Sequence, residues 1–147
     1  MKKHLYTLMF LGLTLFSCQK DEVGPMIAEK IVAPEITTPS SGATVEVTEL
    51  NLTDTVKVKW KKADYGVTTS VNYFLQADSA TKQFAHPVSI GSSNSDELAV
   101  VMSELNKKLL DQLHLPANKS SVIELRLGAS INNLDTVISQ VIKITVT

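Results

Sequence analysis

The stretch VKVKW at residues 56–60 alternates apolar residues with lysines. This period of two is typical of a β-strand with one face buried and one face in water, so Trp60 is predicted to point into a core. After a turn at 63–66 the alternation resumes in VNYFLQA at 71–77. The two runs predict an antiparallel hairpin over 56–77, whose common apolar face needs a second sheet to cover it. The fold class predicted from this stretch is an all-β sandwich.

The segments on either side of the hairpin predict shorter strands. Residues 34–44 are typical of an edge strand that is interrupted by proline and followed by a turn. A second edge strand is predicted over 84–90, and the composition of 91–95 indicates a loop. Residues 98–102 are apolar at the positions that face either side of a strand, so this strand is expected to be buried on both sides.

The longest alternation in the chain covers residues 123–131 and predicts a strand beside the hairpin. Its outward positions include Glu124 and Arg126, and Asp78 is expected to face outward on the neighbouring strand. After a turn at 132–133, a last strand is expected to place Ile142, Ile144 and Val146 inward. These strands complete the predicted sandwich.

One short helix is predicted between the two halves of the sandwich. Leucines recur at helical spacing at positions 105, 109, 110 and 113, while charged residues occupy the opposite side. Ser103 is predicted to be the N-cap, and the proline at 116 follows the end of the helix. The helix is expected to cross from one sheet to the other.

Length and charge limit the classes of function. A chain of 147 residues has room for one ordinary domain, which we assign to residues 34–147. The net charge of −1 gives no electrostatic reason to expect nucleic acid or an acidic membrane surface as a partner. The single cysteine, Cys18, cannot form an internal disulfide, so stability must come from the core.

The N-terminus has the pattern of a secretory signal. Residues 1–17 combine a basic start with a short apolar run, and the sequence then reaches Cys18. This junction resembles the lipobox of bacterial lipoproteins, in which the cysteine after the cleavage site is acylated. We therefore expect a signal peptide over 1–17, a lipidated Cys18 and a flexible tether over 18–33. The alternative is an ordinary signal with a chance cysteine.

The residues after Cys18 resemble a surface-export signal. Lys20, Asp21 and Glu22 are similar to the short signal that sends lipoproteins of the Bacteroidetes type to the outer face of the outer membrane. The alternative is that they are solvated linker charges. On the first interpretation the domain is lipid-anchored in the outer membrane and exposed at the cell surface.

The chain lacks the residue patterns of a catalytic or metal site. After the leader only His86 and His114 remain, 28 positions apart, without carboxylates at ligand spacing. The pair Asp96-Glu97 lies at a strand entrance, where solvated charge is the ordinary explanation. The run Gly91-Ser92-Ser93 lacks the strand-turn-helix context of a serine nucleophile. We expect no enzyme activity and no cofactor.

Glycan binding requires aromatic ring faces and a few hydrogen-bonding groups. The alternation places two of the five aromatic residues after the leader, Trp60 and Tyr73, in the core. Tyr65, Phe74 and Phe84 could each expose a ring face. Tyr65 and Phe74 are therefore the candidate glycan contacts.

Several of these segments together resemble one known family. The pattern Trp-x-x-Ala-Asp-Tyr-Gly at 60–66 and the pattern Tyr-x-Leu-Gln at 73–76 are similar to the signature of the N-terminal domain of the SusE family of outer-membrane starch-utilisation lipoproteins. Residues 33–44, 103–106 and 124–130 match the same domain, and the resemblance covers about residues 30–147 together with the leader. It implies an immunoglobulin/fibronectin-III-like sandwich at the cell surface, beside a glycan-importing outer-membrane complex.

The resemblance also limits the expected role. Family members usually continue into carbohydrate-binding domains, and this chain ends where those domains would begin, so no binding residue is carried over. We expect a spacer or assembly module of a starch or glycan capture system, as a short member or a truncated one. The expected partners are the outer membrane through the lipid anchor, a glycan-import porin complex and starch or maltooligosaccharide. The alternative is a module that itself contacts starch-like oligosaccharide through exposed aromatic rings.

Overall fold

The computed structural model describes residues 31–132 and 136–147. The predictions for the signal peptide, Cys18, Lys20, Asp21 and Glu22 lie outside these residues. The described elements, in chain order, are β1 (Glu35–Thr38), β2 (Thr44–Val45), β3 (Thr55–Lys61), β4 (Asn72–Ser79), β5 (Val88–Ser93), β6 (Glu97–Val101), α1 (Met102–Asp111), β7 (Ser121–Ser130), β8 (Val137–Ile138) and β9 (Ile142–Val146).

The strands form two sheets that pack face to face. A small sheet has the order β1-β3-β6, and a large sheet has the order β2-β9-β7-β4-β5, with β8 also paired to β7. Neighbouring strands are antiparallel except for β2, which runs parallel to β9. Two such sheets enclosing one core form an immunoglobulin/fibronectin-III-like β-sandwich. The predicted all-β sandwich with one short helix is confirmed.

The predicted hairpin over 56–77 is wrong. β3 pairs with β1 and β6 in the small sheet, whereas β4 pairs with β5 and β7 in the large sheet. The connection over 62–71 therefore crosses between the sheets instead of turning within one. Both strands do point their apolar residues at the same core, and the rings of Trp60 and Tyr73 meet there with centroids 5.4 Å apart. Alternation predicted the inward faces correctly but not the pairing.

The core contains residues from both sheets and from the helix. Its buried apolar side chains are Ile36, Val45, Val58, Trp60, Tyr65, Tyr73, Leu75, Ala77, Val88, Ile90, Val100, Met102, Leu105, Leu109, Leu113, Ile123, Leu125, Leu127, Ala129, Ile131, Ile144 and Val146. All five apolar positions that were predicted to alternate over 123–131 belong to this set, and β7 lies beside β4 as expected. Of the last strand, Ile144 and Val146 are buried and Ile142 is partly buried.

Three local predictions need correction. Asp78 was expected to face water, but it is completely buried. The strand β6 is not buried on both sides, because Ala99 is exposed. The predicted loop over 91–95 is wrong in its first three residues, since β5 continues to Ser93 along the edge of the large sheet.

The helix begins earlier than predicted and is capped differently. Its N-cap is Val101, which makes no side-chain cap hydrogen bond, so the prediction of Ser103 as N-cap is wrong. The free N–H groups of Met102 and Ser103 instead donate to the backbone oxygens of Asp54 and Leu52, at 2.9 and 3.0 Å. Loop carbonyls therefore replace the side-chain cap that a helix start ordinarily needs.

The first and last described residues of the chain lie at opposite ends of the sandwich. At one end, called here the proximal end, Val32 and Asp64 exchange backbone hydrogen bonds of 2.9 and 3.0 Å. At the other, the distal end, Thr147 lies beside Val47, and Ser121 pairs with Val146. Val32 thus belongs to the domain although it falls within the predicted tether of 18–33. The ten residues of β7, from Ser121 to Ser130, run from the distal to the proximal end.

Candidate functional site on the outer face of the large sheet

Three of the five aromatic residues after position 17 are unavailable at the surface. Trp60, Tyr65 and Tyr73 expose 5%, 3% and 1% of their area. The hydroxyl of Tyr65 donates to the backbone oxygen of Ala129 at 2.6 Å, which holds the ring between the sheets. The prediction that Tyr65 has an exposed ring face is therefore wrong. A glycan could not stack on it without opening the core.

Phe74 lies on the outer face of the large sheet and is half-buried. It stands opposite Gly128 on β7, and the end of its ring occupies the space that a side chain would fill there. A Cβ added to Gly128 would lie 2.0 Å from the Cζ of Phe74. The glycine therefore allows this ring to lie against the backbone of the neighbouring strand.

Arg126 is the only arginine of the chain and lies on the same face. Its Nε donates to the Oε1 of Gln76 at 2.9 Å, and its guanidinium carbon is 4.2 Å from the ring centroid of Phe84. None of the ion pairs within the described residues includes it. The amide and the ring therefore fix the guanidinium in place while no carboxylate neutralises it.

Two acidic residues occupy the next positions of this face. Asp78 and Glu124 are directly opposite each other on β4 and β7. Glu124 forms an ion pair of 3.5 Å with Lys143, whereas the Oδ1 of Asp78 accepts a 2.7 Å hydrogen bond from the backbone N–H of Ser79. The Oδ2 of Asp78 is buried without a hydrogen-bond partner in the structure. This end of the face is thus closed, and Phe74, Gln76, Arg126 and Phe84 form its accessible part.

The arrangement suits recognition better than reaction. The groups that could meet a ligand are a partly exposed ring, a neutral amide and a fixed guanidinium, which stack and donate hydrogen bonds but do not act as nucleophile or base near pH 7. Within residues 31–132 and 136–147 no three histidine, cysteine or acidic side chains come together as metal ligands would. His86 and His114 are both exposed loop residues.

Sequence reasoning found part of this face. Phe74 was predicted to point outward and does. Gln76 and Arg126 were missed as candidates, although the alternation had placed both in the outward phase. Their direct opposition across β4 and β7 depends on the register of two strands about 50 residues apart, which no local pattern encodes.

The solved structures to which this chain is similar share little sequence with it. No significantly similar sequence was found among curated proteins. Among solved structures, the chain is similar to fibronectin(III)-like modules of Clostridium thermocellum CbhA, with 10% identity and a TM-score of 0.43 over 77% of this chain and 93% of that chain. It is also similar to titin kinase with its flanking domains, with 15% identity and a TM-score of 0.40 over 70% of this chain and 16% of that one.

The family comparison covers most of the sequence. Residues 20–128 match the model of the SusE outer membrane protein family, as the signature at 60–66 and 73–76 had indicated. No helix in the described part of the chain is both long and apolar enough to span a membrane. By the extent of the family match, this chain is a member of the SusE outer membrane protein family.

Proposed function

We propose that this domain is a non-catalytic spacer or assembly module of a starch or glycan capture system, anchored at the cell surface. The observation that carries the proposal is the separation of its two ends. Val32, which follows most of the expected tether in the sequence, bridges Asp64 at the proximal end, and Thr147 lies at the distal end. A ten-residue strand between them measures about 33 Å, at 3.3 Å per residue. Such a module holds distal components at a fixed distance from the membrane.

The use of aromatic residues supports the same proposal. Trp60, Tyr65 and Tyr73 stabilise the junction of the sheets, and Phe84 is covered on one side by Arg126. A glycan site ordinarily needs ring faces that are free and suitably oriented. Within the described residues, only Phe74 approaches that condition.

The anchoring part of the proposal rests on the sequence. Replacing Cys18 by Ala is expected to release the protein from membranes, because acyl chains contribute about 0.8 kcal/mol per buried CH₂. Replacing Lys20, Asp21 and Glu22 together by Ala is expected to leave the protein lipidated but protected from protease added to whole cells. Outer-membrane fractionation of the first variant and surface proteolysis of the second measure these outcomes. A Cys18→Ala protein that still fractionates with the outer membrane contradicts the anchor.

A second candidate function is glycan binding on the outer face of the large sheet. It is favoured by one observation, the fixed guanidinium of Arg126 on the same face of the sheet as the half-buried ring of Phe74. A pyranose could stack on the ring while its hydroxyl groups accept from Arg126 and Gln76. The face offers one such ring, which makes a weak platform for a maltooligosaccharide.

Calorimetric titration with maltoheptaose separates the two functions. The spacer proposal predicts no measurable heat of binding for the chain from residue 19 onward. Saturable binding that disappears in Phe74→Ala and weakens in Arg126→Gln would establish the glycan-binding function instead. Lys57→Gln is a matched control, because it changes an exposed charge on the outer face of the other sheet. Binding lost equally in the control would indicate a nonspecific charge effect.

A further inference from the structure

The guanidinium of Arg126 has two terminal amino groups, Nη1 and Nη2, that make no hydrogen bond to another described residue. Its Nε donates to Gln76, and the ring of Phe84 covers one of its faces at 4.2 Å. Gln83 and Phe84 have positive φ angles of 51° and 58°, which residues other than glycine seldom adopt. This arginine is thus held in one orientation with the donors at its outer edge available to a ligand.

The neighbouring amide adds a further donor of fixed direction. Because the Oε1 of Gln76 accepts from Arg126, its Nε2 is the group left for a ligand, and this group only donates hydrogen bonds. The two carboxylates on the next positions of the face are turned to other uses. Asp78 is completely buried, and Glu124 pairs with Lys143. This part of the face therefore presents donors to a ligand, and neither neighbouring carboxylate opposes an anion there directly.

An apolar platform lies beside these donors. The ring of Phe74 lies against Gly128, and Ile138 stands opposite Gly128 on its other side, with 39% of its area exposed. Arg126 is two residues from Gly128 along β7, so Arg126 and Phe74 are diagonal neighbours on one face. Such diagonal neighbours are about 7–8 Å apart, which long and aromatic side chains span. One small ligand can therefore contact the ring and the guanidinium together.

We propose that this face binds an acidic sugar, a pyranose that carries a carboxylate group, as in a uronic acid. The carboxylate accepts from the terminal amino groups of Arg126, in the two parallel hydrogen bonds that a guanidinium forms with a planar anion. The sugar ring stacks on Phe74, and the Nε2 of Gln76 donates to an oxygen of the same sugar. A neutral glucan offers only hydroxyl groups, which are weaker acceptors, so it matches these donors less well.

The inference goes beyond the spacer function and does not depend on it. It shares its surface with the second candidate function but requires a charged ligand. The titration with maltoheptaose tests the spacer and neutral-glycan functions, whereas a charged sugar tests this inference. The two results are therefore distinguishable.

Calorimetric titration of the chain from residue 19 onward with trigalacturonate tests the proposal. Saturable binding is expected, with no measurable binding of maltotriose, a neutral sugar of the same length. The affinity for trigalacturonate should fall as the salt concentration rises, because salt screens the two charges. Absence of binding to trigalacturonate, or equal binding of maltotriose, would overturn the proposal. A hexaglutamate peptide that binds as tightly as trigalacturonate would overturn the choice of a sugar as the ligand.

Gln76→Glu is the sharpest variant, because it places a carboxylate where the amide now accepts from Arg126. The ion pair so formed neutralises the guanidinium within the chain and leaves Phe84 in place, so thermal unfolding should show a folded protein. Its affinity for trigalacturonate should nevertheless fall by about tenfold or more. Arg126→Lys keeps the charge but loses the two parallel donors, so it should also weaken binding.

The matched control is Lys57→Gln, which removes an exposed positive charge from the outer face of the small sheet. It should leave the binding of trigalacturonate unchanged. Binding that persists undiminished in Gln76→Glu would overturn the proposal. Binding that Lys57→Gln reduces as much as Gln76→Glu does would also overturn it, because the interaction would then follow the overall charge of the protein.

Discussion

The outer faces of the two sheets treat charged side chains in opposite ways. On the small sheet Lys57 and Lys59 share Glu97, and Lys61 pairs with Glu35, with all five side chains between 42% and 70% exposed. On the large sheet Asp78 is fully buried and the side chain of Glu124 is only 12% exposed. The same alternation of residue types therefore gives a solvent-exposed outer face on the small sheet and a partly covered outer face on the large sheet.

The segment that follows β4 covers part of the outer face of the large sheet. Residues after Ser79 fold back toward the outer face of the large sheet and place Phe84 against Arg126. Among the described residues, none covers the lysines of the small sheet in this way, and Lys57, Lys59 and Lys61 are all exposed. Alternation thus determines the side of the sheet to which a residue points, while more distant segments determine whether that side meets water.

The largest effect is expected from the core that both sheets share. Trp60→Ala should lower the free energy of unfolding by about 3–5 kcal/mol, because it leaves a cavity beside Tyr73. The neighbouring Lys59→Ala, on the wet face, should change it by less than about 1 kcal/mol. Chemical denaturation of both variants measures the contrast. Similar losses of unfolding free energy for Trp60→Ala and Lys59→Ala would contradict the assignment of Trp60 to the buried side and Lys59 to the exposed side of β3.

The second-largest loss of stability is expected from overpacking the outer face of the large sheet. Gly128→Ala should cost about 1–3 kcal/mol, because the new methyl group collides with the ring of Phe74. In a Phe74→Ala background the same change should stabilise by about 0.5–1 kcal/mol, since alanine is less flexible than glycine in a strand. A double-mutant cycle by urea unfolding gives both values. If Gly128→Ala is equally destabilising in the Phe74→Ala background, the ring of Phe74 is not the reason that position 128 requires glycine.

Alkaline pH is expected to weaken the junction between the sheets. Burial raises the pKa of Tyr73 above 10, partly offset by the hydrogen bond from the N–H of Ala63, and the charge of Asp96 raises it further. The unfolded state therefore loses this proton first, so the stabilising contribution is complete below about pH 10 and is lost as the pH rises through the raised pKa.

Tyr73→Phe isolates that contribution. At neutral pH it should cost about 1 kcal/mol, because the N–H of Ala63 loses its acceptor. The difference in unfolding free energy between the native protein and Tyr73→Phe should stay constant up to about pH 10 and shrink as the pH rises further. A difference that stays constant at the higher pH values as well would contradict the assigned protonation change.

The smallest effect is expected on the small sheet. Glu97→Gln removes the carboxylate that Lys57 and Lys59 share at 3.7 Å, yet it should cost less than about 1 kcal/mol because all three groups are exposed. The cost should also fall in high salt. Thermal unfolding at low and high ionic strength measures it. A loss as large as that of Gly128→Ala would remove the contrast between the two outer faces.

The sequence predicted the faces of the strands better than their partners. Val58, Trp60, Tyr73 and Leu75 were all placed inward correctly, because period-two alternation is local. The pairing of β3 with β4 was wrong, since two adjacent strands with one shared apolar face can form a hairpin or stand in facing sheets. The connection between β3 and β4 crosses from one sheet to the other, and its Tyr65 donates a hydrogen bond to the backbone oxygen of Ala129 in the large sheet.

The candidate site was less predictable for the same physical reason. Phe74 follows from alternation, but its contact with Gly128 and the bond between Gln76 and Arg126 depend on the register of β4 with β7. The burial of Asp78 likewise does not follow from its outward position in the alternation. Composition assigned Tyr65 to an exposed turn because its neighbours are typical turn residues, whereas its hydroxyl found a partner 64 positions away.

The parallel pairing of β2 with β9 has a mechanical consequence. Thr145 and Thr147 donate to the backbone oxygens of Ala43 and Val45, and Val47 donates in return to Thr147. If the proximal and distal ends were pulled apart, β2 and β9 would be drawn in opposite directions along their lengths. These hydrogen bonds would then be sheared together rather than opened one after another. A module with this arrangement resists tension between its two ends until the whole set breaks at once.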